Sequence, residues 1–416
     1  MNFFFNKKLK YEEKYSKTQP FSVLYNNFLI KVLDYFFNKN KFSIKFTKNL
    51  KKDFKENLYY EVSNIIDPHI YNVLQIYKKG NPRVKNITTF YEKFLKNKKK
   101  IIPKILEKNI NLSVRNWIRN NNDIINRFIH DEKKINNIFN INSDIKKFKF
   151  GLGDKHNNHK AVTLIIFKNN KKILYKPRNA EIDENYNKLI DFVNKKIKEK
   201  IKTTRILNKK IYSWHEFISP IKSNNDVYKN FGKLLSVAYL LKITDLHQEN
   251  IIINDNFPIP IDLESILVFR KSYLKKFNYR SEEKIFNILE DSLLNTGILP
   301  SPILINNKLN FRGGIYFEKK LSKEKLVWRN KKNINIFPLK TNELISNYIH
   351  EKKSFELNHK NRLIIKKWFF KFNNKLRKLI KNKEFKSLIQ KIYNSEVRFI
   401  FRSTYLYFLL IKKIRF

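Results

Sequence analysis

The spacing of apolar residues along this 416-residue chain changes near residue 145, and this change limits the folds that the chain can adopt. From Pro20 to Asn142 the apolar residues recur at helical spacing, as in FSVLYNNFLIKVLDYF, and Gly80 is the only glycine. From Phe148 to Phe167, short apolar runs instead flank a glycine-bearing turn, a pattern that predicts two strands joined by a hairpin. We therefore expect an α+β protein with a helical N-terminal region.

Further predicted strands and helices follow the hairpin in a definite order. A third strand is expected at Lys172–Lys176, an amphipathic helix over Glu181 to Ile201, and a strand near Ile211 to Ile218. A second helix after Asp226 leads into the loop TDLHQEN and then into two short apolar segments, IIIN and PIPIDLESIL. A hairpin followed by a strand and a helix is typical of the small lobe of a kinase.

The composition excludes several kinds of protein. The chain has no cysteine, which rules out disulfides, thiolate nucleophiles and zinc sites built from Cys. The N-terminal sequence MNFFFNKKLK lacks the long apolar segment of a signal peptide. No apolar stretch approaches the roughly 20 residues that span a bilayer. We expect a cytoplasmic protein without a transmembrane segment, and association with a membrane-bound export complex remains open.

The chain is strongly basic, with 87 Lys and Arg against 37 Asp and Glu, a formal net charge of +50. Such a surplus is typical of proteins that bind nucleic acid, lipid surfaces or acidic peptides. A bias of the whole composition towards Lys, Asn, Ile and Phe, with only 7 Gly and 11 Pro, is the favoured explanation for most of the charge, which still acts on any partner. Both explanations stand at this stage.

Three polar residues in and before the apolar segments IIIN and PIPIDLESIL match the requirements of phosphoryl transfer. In kinases, an Asp lies near the attacking hydroxyl. An Asn on the same loop and an Asp after the next strands hold Mg²⁺. Asp245, Asn250 and Asp262 follow this order, which predicts that Asp245 orients or deprotonates the acceptor and that Asn250 and Asp262 hold the metal. The alternative is a polar turn in which Asp and Asn cap a helix.

Two further features agree with a kinase-like arrangement. Lys176 ends the predicted third strand in LYKPR, where a kinase places the lysine that contacts the nucleotide phosphates. The hairpin tip from Gly151 to His156 lies where a glycine-rich phosphate loop is expected, although Gly-Asp is also ordinary turn chemistry. The chain contains no Walker-type phosphate loop, so a P-loop ATPase is not supported.

Taken together, these motifs resemble the dehydratase domain of class II lanthipeptide synthetases, enzymes that modify ribosomally made precursor peptides. The resemblance extends over roughly Pro20 to Leu410. The matching segments are GDKHNNHKAV, LYKPR, YSWHEFI, TDLHQENIIIN, PIPIDLESIL, SLLNTGILP and VRFIFRSTYLY.

This resemblance implies a lipid-kinase-like core that uses ATP and Mg²⁺ to phosphorylate Ser and Thr, followed by phosphate elimination to dehydroalanine or dehydrobutyrine. It implies a precursor peptide as the partner, and the basic charge of the chain leads us to expect an acidic leader on that peptide. The residues that it assigns to the kinase step are Lys176 and Arg178 for the nucleotide, Asp245 and His247 for catalysis, and Asn250 and Asp262 for the metal. It assigns Arg398 and Thr404 to elimination, and Asp154 and His156 to the active site. Arg398 suits the elimination step because a guanidinium group binds phosphate through two hydrogen bonds.

The resemblance also predicts a domain organisation. We expect a helical region over residues 1–145, a kinase-like small lobe over 146–225, and a helical large lobe over 226–416. The segment from Glu282 to Phe416 is predicted to be mainly helical apart from a loop around Pro300 to Gly314.

The chain also departs from the family pattern. His159 stands where the family usually has Gly, and a glycine-rich segment survives only as Arg312-Gly313-Gly314. The sequence stops at Phe416, before the rest of the dehydratase and the zinc cyclase domain. We therefore expect no cyclisation, an accumulation of phosphorylated peptide when the chain acts alone, and a separate cyclase or C-terminal dehydratase chain as a candidate partner.

Two other functions compete with the peptide dehydratase. One is a non-catalytic remnant that binds a peptide or nucleic acid, although no recognisable nucleic-acid module is present and no specific nucleic acid is expected. The other is a kinase of a small molecule or lipid, which only the segment from Arg398 to Thr404 disfavours.

Overall fold

The chain folds into two compact units in a computed structural model. The first contains residues 1–177 and 322–344, and the second contains residues 178–321 and 345–416. The residues that the structure describes are 20–39, 42–83, 87–156, 158–221, 224–267, 291–305, 308–315, 322–330, 336–344 and 357–397. The predicted α+β class, with a helical N-terminal region, is confirmed.

The first unit begins with helices whose ends carry recognisable caps. A 3-10 helix at Pro20–Leu24 precedes α1 (Asn26–Lys39), α2 (Lys48–Gly80), α3 (Ile87–Ile101) and α4 (Lys104–Phe139). The Thr47 hydroxyl caps α2 by accepting a hydrogen bond from the Leu50 amide at 3.3 Å. Asn140 ends α4 in a left-handed conformation, a common device at helix C-termini. Within the described ranges, no helix is both long enough and apolar enough to cross a bilayer.

Three antiparallel strands follow α4 where the sequence predicts them. They are β1 (Ile145–His156), β2 (Lys160–Phe167) and β3 (Lys172–Lys176). Phe148 pairs with Ile165, and Thr163 pairs with Tyr175. Register shifts interrupt β1 on both sides of Leu152, so the hairpin is irregular near its tip.

An aromatic cluster joins the helices of the first unit to this sheet. The Phe54 ring of α2 lies 5.2 Å from the Phe148 ring and 4.8 Å from the Phe150 ring of β1. The Asp53 carboxylate accepts a hydrogen bond from the Phe148 amide at 2.9 Å. The start of β1 is therefore fixed to α2 by both apolar packing and a polar contact.

The second unit alternates helices with short strands. Its elements are α5 (Glu181–Ile197), β4 (Ile206–Asn208), β5 (Ser213–Glu216), α6 (Asp226–Leu240), β6 (Ile251–Asn254), β7 (Phe257–Pro260), a 3-10 helix at Leu293–Thr296, β8 (Ser301–Ile305), β9 (Lys308–Arg312), α7 (His359–Leu379) and α8 (Lys383–Tyr393). Strand pairs β4–β5, β6–β7 and β8–β9 are antiparallel. The core consists of apolar residues from α5, α6, α7 and α8, and Leu246 and Ile251 extend it beneath the loop before β6.

The structure differs in two places from the prediction of a mainly helical segment with one loop from Glu282 onwards. Residues Ser301–Arg312, predicted as a loop, form the β8–β9 hairpin. Residues Ser322–Leu344 form a second antiparallel pair, β10 (Ser322–Asn330) and β11 (Ile336–Leu344), which belongs to the first unit. Each pair is stabilised by the backbone hydrogen bonds between its strands, and apolar spacing within one short segment does not reveal such pairing.

Candidate functional site

The loop Thr244–Asn250, which we call the acidic loop, is hydrogen-bonded at both ends to the segment Ile261–Ser265 that follows β7. The Thr244 amide donates to the Ser265 carbonyl at 2.9 Å, and the Ile261 amide donates to the Asn250 carbonyl at 2.9 Å. The β6–β7 hairpin connects the two segments along the chain. Asp245, Asn250 and Asp262 are thus carried by two short segments that are fixed to each other.

Gly297 and Gly314 pack directly against the backbone of the acidic loop. Nothing in the sequence indicated these two contacts. Gly297 has a φ of +75°, and a Cβ there would lie 2.9 Å from the Leu246 nitrogen. A Cβ on Gly314 would lie 2.4 Å from the Leu246 carbonyl oxygen. The Leu246 amide itself donates to the Thr296 carbonyl at 2.9 Å. These positions require glycine because any side chain would displace the acidic loop.

Asp245 has a backbone conformation that is unusual for a residue with a side chain. Its φ is +65°, in the left-handed region. The Asn250 side-chain amide holds this conformation by donating to the Asp245 carbonyl at 2.8 Å and approaching its carboxylate at 3.4 Å. Backbone strain of this kind concentrates at functional sites, where the surrounding structure maintains it.

His247 faces the Asp245 carboxylate in a defined orientation. Its Nδ1 accepts a hydrogen bond from the Glu249 amide at 3.1 Å, so the proton of the neutral ring is on Nε2. Nε2 lies 3.4 Å from Oδ1 of Asp245. The loop therefore fixes the tautomer in which the imidazole N–H points towards the carboxylate.

Arg178 binds three carboxylates with its guanidinium group. Nε lies 2.7 Å from Glu264, and Nη1 lies 2.7 Å from Asp183. Nη2 lies 3.4 Å from Asp183 and 3.4 Å from Asp262, and Nη1 also donates to the Asn179 carbonyl at 3.0 Å. All five N–H groups of the guanidinium thus have an acceptor within the second unit.

The carboxylates also determine the electrostatics around Arg178. Burial alone would lower the pKa of its guanidinium, but Asp183, Asp262 and Glu264 together raise it above its ordinary value. The group is therefore permanently charged. One positive and three negative charges leave this cluster with a net charge of −2.

The residues of the two segments fit a Mg²⁺ ion held together with a nucleotide. Mg²⁺ prefers oxygen ligands, and in phosphoryl-transfer sites it is bound by one or two carboxylates plus phosphate oxygens. Asp262 supplies a carboxylate that is 41% exposed, and Asn250 turns its nitrogen to Asp245, which leaves its carbonyl oxygen as the atom that would bind a metal. Among the described residues, no group of three or more His, Asp or Glu side chains could hold a metal ion by itself.

The hairpin tip predicted as a phosphate loop belongs to the first unit. Gly151 and Gly153 have φ values of +71° and +79°, so both positions use the conformational freedom of glycine. Lys155 forms an ion pair with Glu61 of α2 at 2.5 Å. The tip is therefore an irregular turn that is attached to the helical region.

The remaining predicted site residues lie elsewhere or are not described. Lys176 is the last residue of β3 in the first unit, and it is 9% exposed. Asp154 and His156 belong to β1, but their side chains lie outside the described part of the structure, as do Arg398 and Thr404 entirely. The roles of these five residues remain predictions.

Comparisons with known proteins place this chain in a family. Residues 104–415 match the family described as "Domain of unknown function (DUF4135)". The chain is also similar to the lacticin 481/lactococcin biosynthesis protein LcnDR2 of Lactococcus lactis subsp. lactis, with 35% identity over 162 residues. That alignment covers 36% of this chain and 17% of the Lactococcus protein. Because the family match extends over most of its length, the chain belongs to the DUF4135 family.

Proposed function

We propose that the chain is an ATP- and Mg²⁺-dependent kinase that phosphorylates Ser and Thr of a lanthipeptide precursor, and that it then eliminates the phosphate. The observation that supports this most directly is the pair of joined segments that carry Asp245, His247, Asn250 and Asp262. The similarity to a protein named for lacticin 481 biosynthesis supports a peptide as the acceptor.

In the proposed reaction, the Asp245 carboxylate accepts the proton of the attacking hydroxyl. The N–H of His247 and the Asn250 amide orient this carboxylate. Asn250 and Asp262 would hold Mg²⁺, which supplies charge neutralisation on the nucleotide phosphates. The nucleotide contact of Lys176 and the elimination roles of Arg398 and Thr404 stay predictions from the sequence.

A matched pair of substitutions tests this function. Asp245→Asn removes the charge but keeps the shape, and Asp255→Asn is the same change at the β6–β7 turn, where Asp255 also has a positive φ of 49°. We expect wild-type protein and the Asp255 variant to add phosphate to, or remove water from, a precursor peptide in the presence of ATP and Mg²⁺. The Asp245 variant should lose at least 100-fold in rate, the lower end of what a positioned acid–base group contributes (about 10²–10⁴).

Mass spectrometry of the peptide gives the result, with the precursor of lacticin 481 as the substrate. A wild-type protein that binds peptide yet leaves its mass unchanged would instead indicate a non-catalytic binding protein. Equal rates for the two variants would exclude Asp245 from the reaction.

A further inference from the structure

Arg178 is fixed in place at both its backbone and its side chain. The Ser213 hydroxyl donates to the Arg178 carbonyl at 3.2 Å. Asn208 accepts from the Ala180 amide at 3.1 Å and donates to the Asn179 side chain at 3.2 Å. The short segment before α5 is therefore rigid, and the position of the guanidinium follows from it.

The guanidinium group of Arg178 connects two different elements of the second unit. Asp183 lies in the first turn of α5, and its side chain is only 5% exposed. Asp262 and Glu264 lie in the segment after β7, which carries the proposed metal ligand. The guanidinium thus links the predicted metal carboxylate to the start of a helix in the core.

We propose that Arg178 is a positioning residue that holds Asp262 and Glu264 in the orientation needed for a divalent cation, and that it does not contact the nucleotide. This inference rests on the proposed function and concerns the same site. A contact with phosphate would require the guanidinium to leave its carboxylates, and Asp183 would then remain buried without its cationic partner, which is strongly unfavourable. Outer-sphere partners of this kind orient metal ligands in many proteins.

The charges in the cluster determine which substitution is informative. The net charge of −2 matches the charge of one Mg²⁺ ion. A neutral residue at position 178 would increase the negative charge and attract the cation more strongly, while it also released Asp262. Arg178→Lys separates these effects, because it keeps the charge but loses the planar fork that binds several carboxylates at once.

The experiment measures binding directly, with Mn²⁺ as the metal and AMPPNP as a non-hydrolysable nucleotide. We expect Arg178→Lys to weaken Mn²⁺ binding at least tenfold in electron paramagnetic resonance titrations, as outer-sphere substitutions typically do (about 10–100-fold). Affinity for AMPPNP in EDTA should stay the same. Arg205→Lys is the control, since Arg205 forms an ion pair with Glu216 at 2.9 Å within the same unit.

Asp183→Asn provides a second test if the Arg178 variant fails to fold. It leaves the guanidinium charge and Asp262 in place but removes the anchor in α5 and one negative charge, so Mn²⁺ binding should weaken, by a smaller factor than in Arg178→Lys. A nucleotide-binding Arg178 would behave differently, because its release from Asp183 would strengthen AMPPNP binding in EDTA.

Each outcome separates the inference from the function on which it rests. A loss of metal-free AMPPNP binding in Arg178→Lys, or unchanged Mn²⁺ binding in both variants, would overturn the positioning role alone. Wild-type protein that binds no Mn²⁺ with AMPPNP would overturn the proposed function and the positioning role together.

Discussion

Asp67 lies inside the first unit, where an acidic residue is rarely found. Its side chain is fully buried in α2, and Oδ1 accepts a hydrogen bond from the Tyr25 hydroxyl at 2.8 Å. Its other oxygen has no hydrogen-bond partner among the residues that the structure describes. Burial raises the pKa of Asp67 to about 8, although the hydrogen bond from Tyr25 acts in the opposite direction. The carboxyl is therefore protonated in the folded protein at neutral pH.

This raised pKa makes the stability of the first unit depend on pH. The unfolded chain releases the Asp67 proton near pH 4, whereas the folded chain retains it up to about pH 8. Between these values the unfolded state binds fewer protons, so the free energy of unfolding falls as the pH rises, by an amount on the order of a few kcal/mol. Asp67→Asn should remove most of this slope and stabilise the protein at pH 8.

Urea unfolding at pH 5 and pH 8 measures the effect. Asp144→Asn is the control, because Asp144 is exposed in the same unit and its pKa is lowered by the hydrogen bond and charge of Lys168. A slope in the Asp67 variant as steep as that of the wild type would contradict the assignment of this carboxyl as neutral.

At the scale of elements, α6 and α7 of the second unit approach each other closely at Gly232. Gly232 of α6 faces α7, and a Cβ there would lie 2.7 Å from the Ile365 carbonyl oxygen and 2.8 Å from the Trp368 Cβ. Both contacts are shorter than atoms can tolerate. The two helices can approach this closely because position 232 carries no side chain.

Gly232→Ala should therefore destabilise the second unit by about 1–3 kcal/mol, the usual cost of overpacking a core. Gly80→Ala is the matched control, because it ends α2 and a Cβ there meets nothing within 4 Å. Alanine favours helix more than glycine does, so the control should be neutral or slightly stabilising. Thermal unfolding of the two variants measures the difference, and equal melting temperatures would show that the helices separate without cost.

The sequence predicted the elements whose signals are local and missed those that depend on distant partners. The third strand, Lys172–Lys176, has the bounds expected from its apolar run, and α6 begins at Asp226, one residue before its predicted start. The β8–β9 and β10–β11 pairs were missed because they depend on pairing between strands. Gly297 could be found only from the structure, since nothing in its neighbourhood along the chain shows that it touches the acidic loop.

The same distinction holds for the candidate site. The order of Asp245, Asn250 and Asp262 along the chain was sufficient to expect them in one site, and the structure carries them on two hydrogen-bonded segments. The chain order gave no sign of the Asp183 anchor for Arg178, because that contact requires the first turn of α5 to face the segment after β7. The role that we propose for Arg178 accordingly differs from the nucleotide contact predicted from the sequence.

At the scale of the whole molecule, the net charge of +50 has two explanations that one measurement can separate. If the charge steers an acidic leader, a Glu-rich precursor should associate faster than the same peptide with Gln in place of Glu. Added salt shortens the Debye length from about 10 Å at 0.1 M to about 3 Å at 1 M, so this advantage should disappear over that range.

Stopped-flow fluorescence of labelled peptides gives the association rates. We expect the association rate of the Glu-rich peptide to fall at least tenfold between 0.05 M and 0.5 M salt, while that of the Gln peptide changes little. The dissociation rates of both peptides should vary less with salt. This expectation follows because steering acts on the diffusional encounter and not on the contacts of the bound state. Equal rates for the two peptides at low salt would show that the charge reflects a compositional bias and has no part in peptide capture.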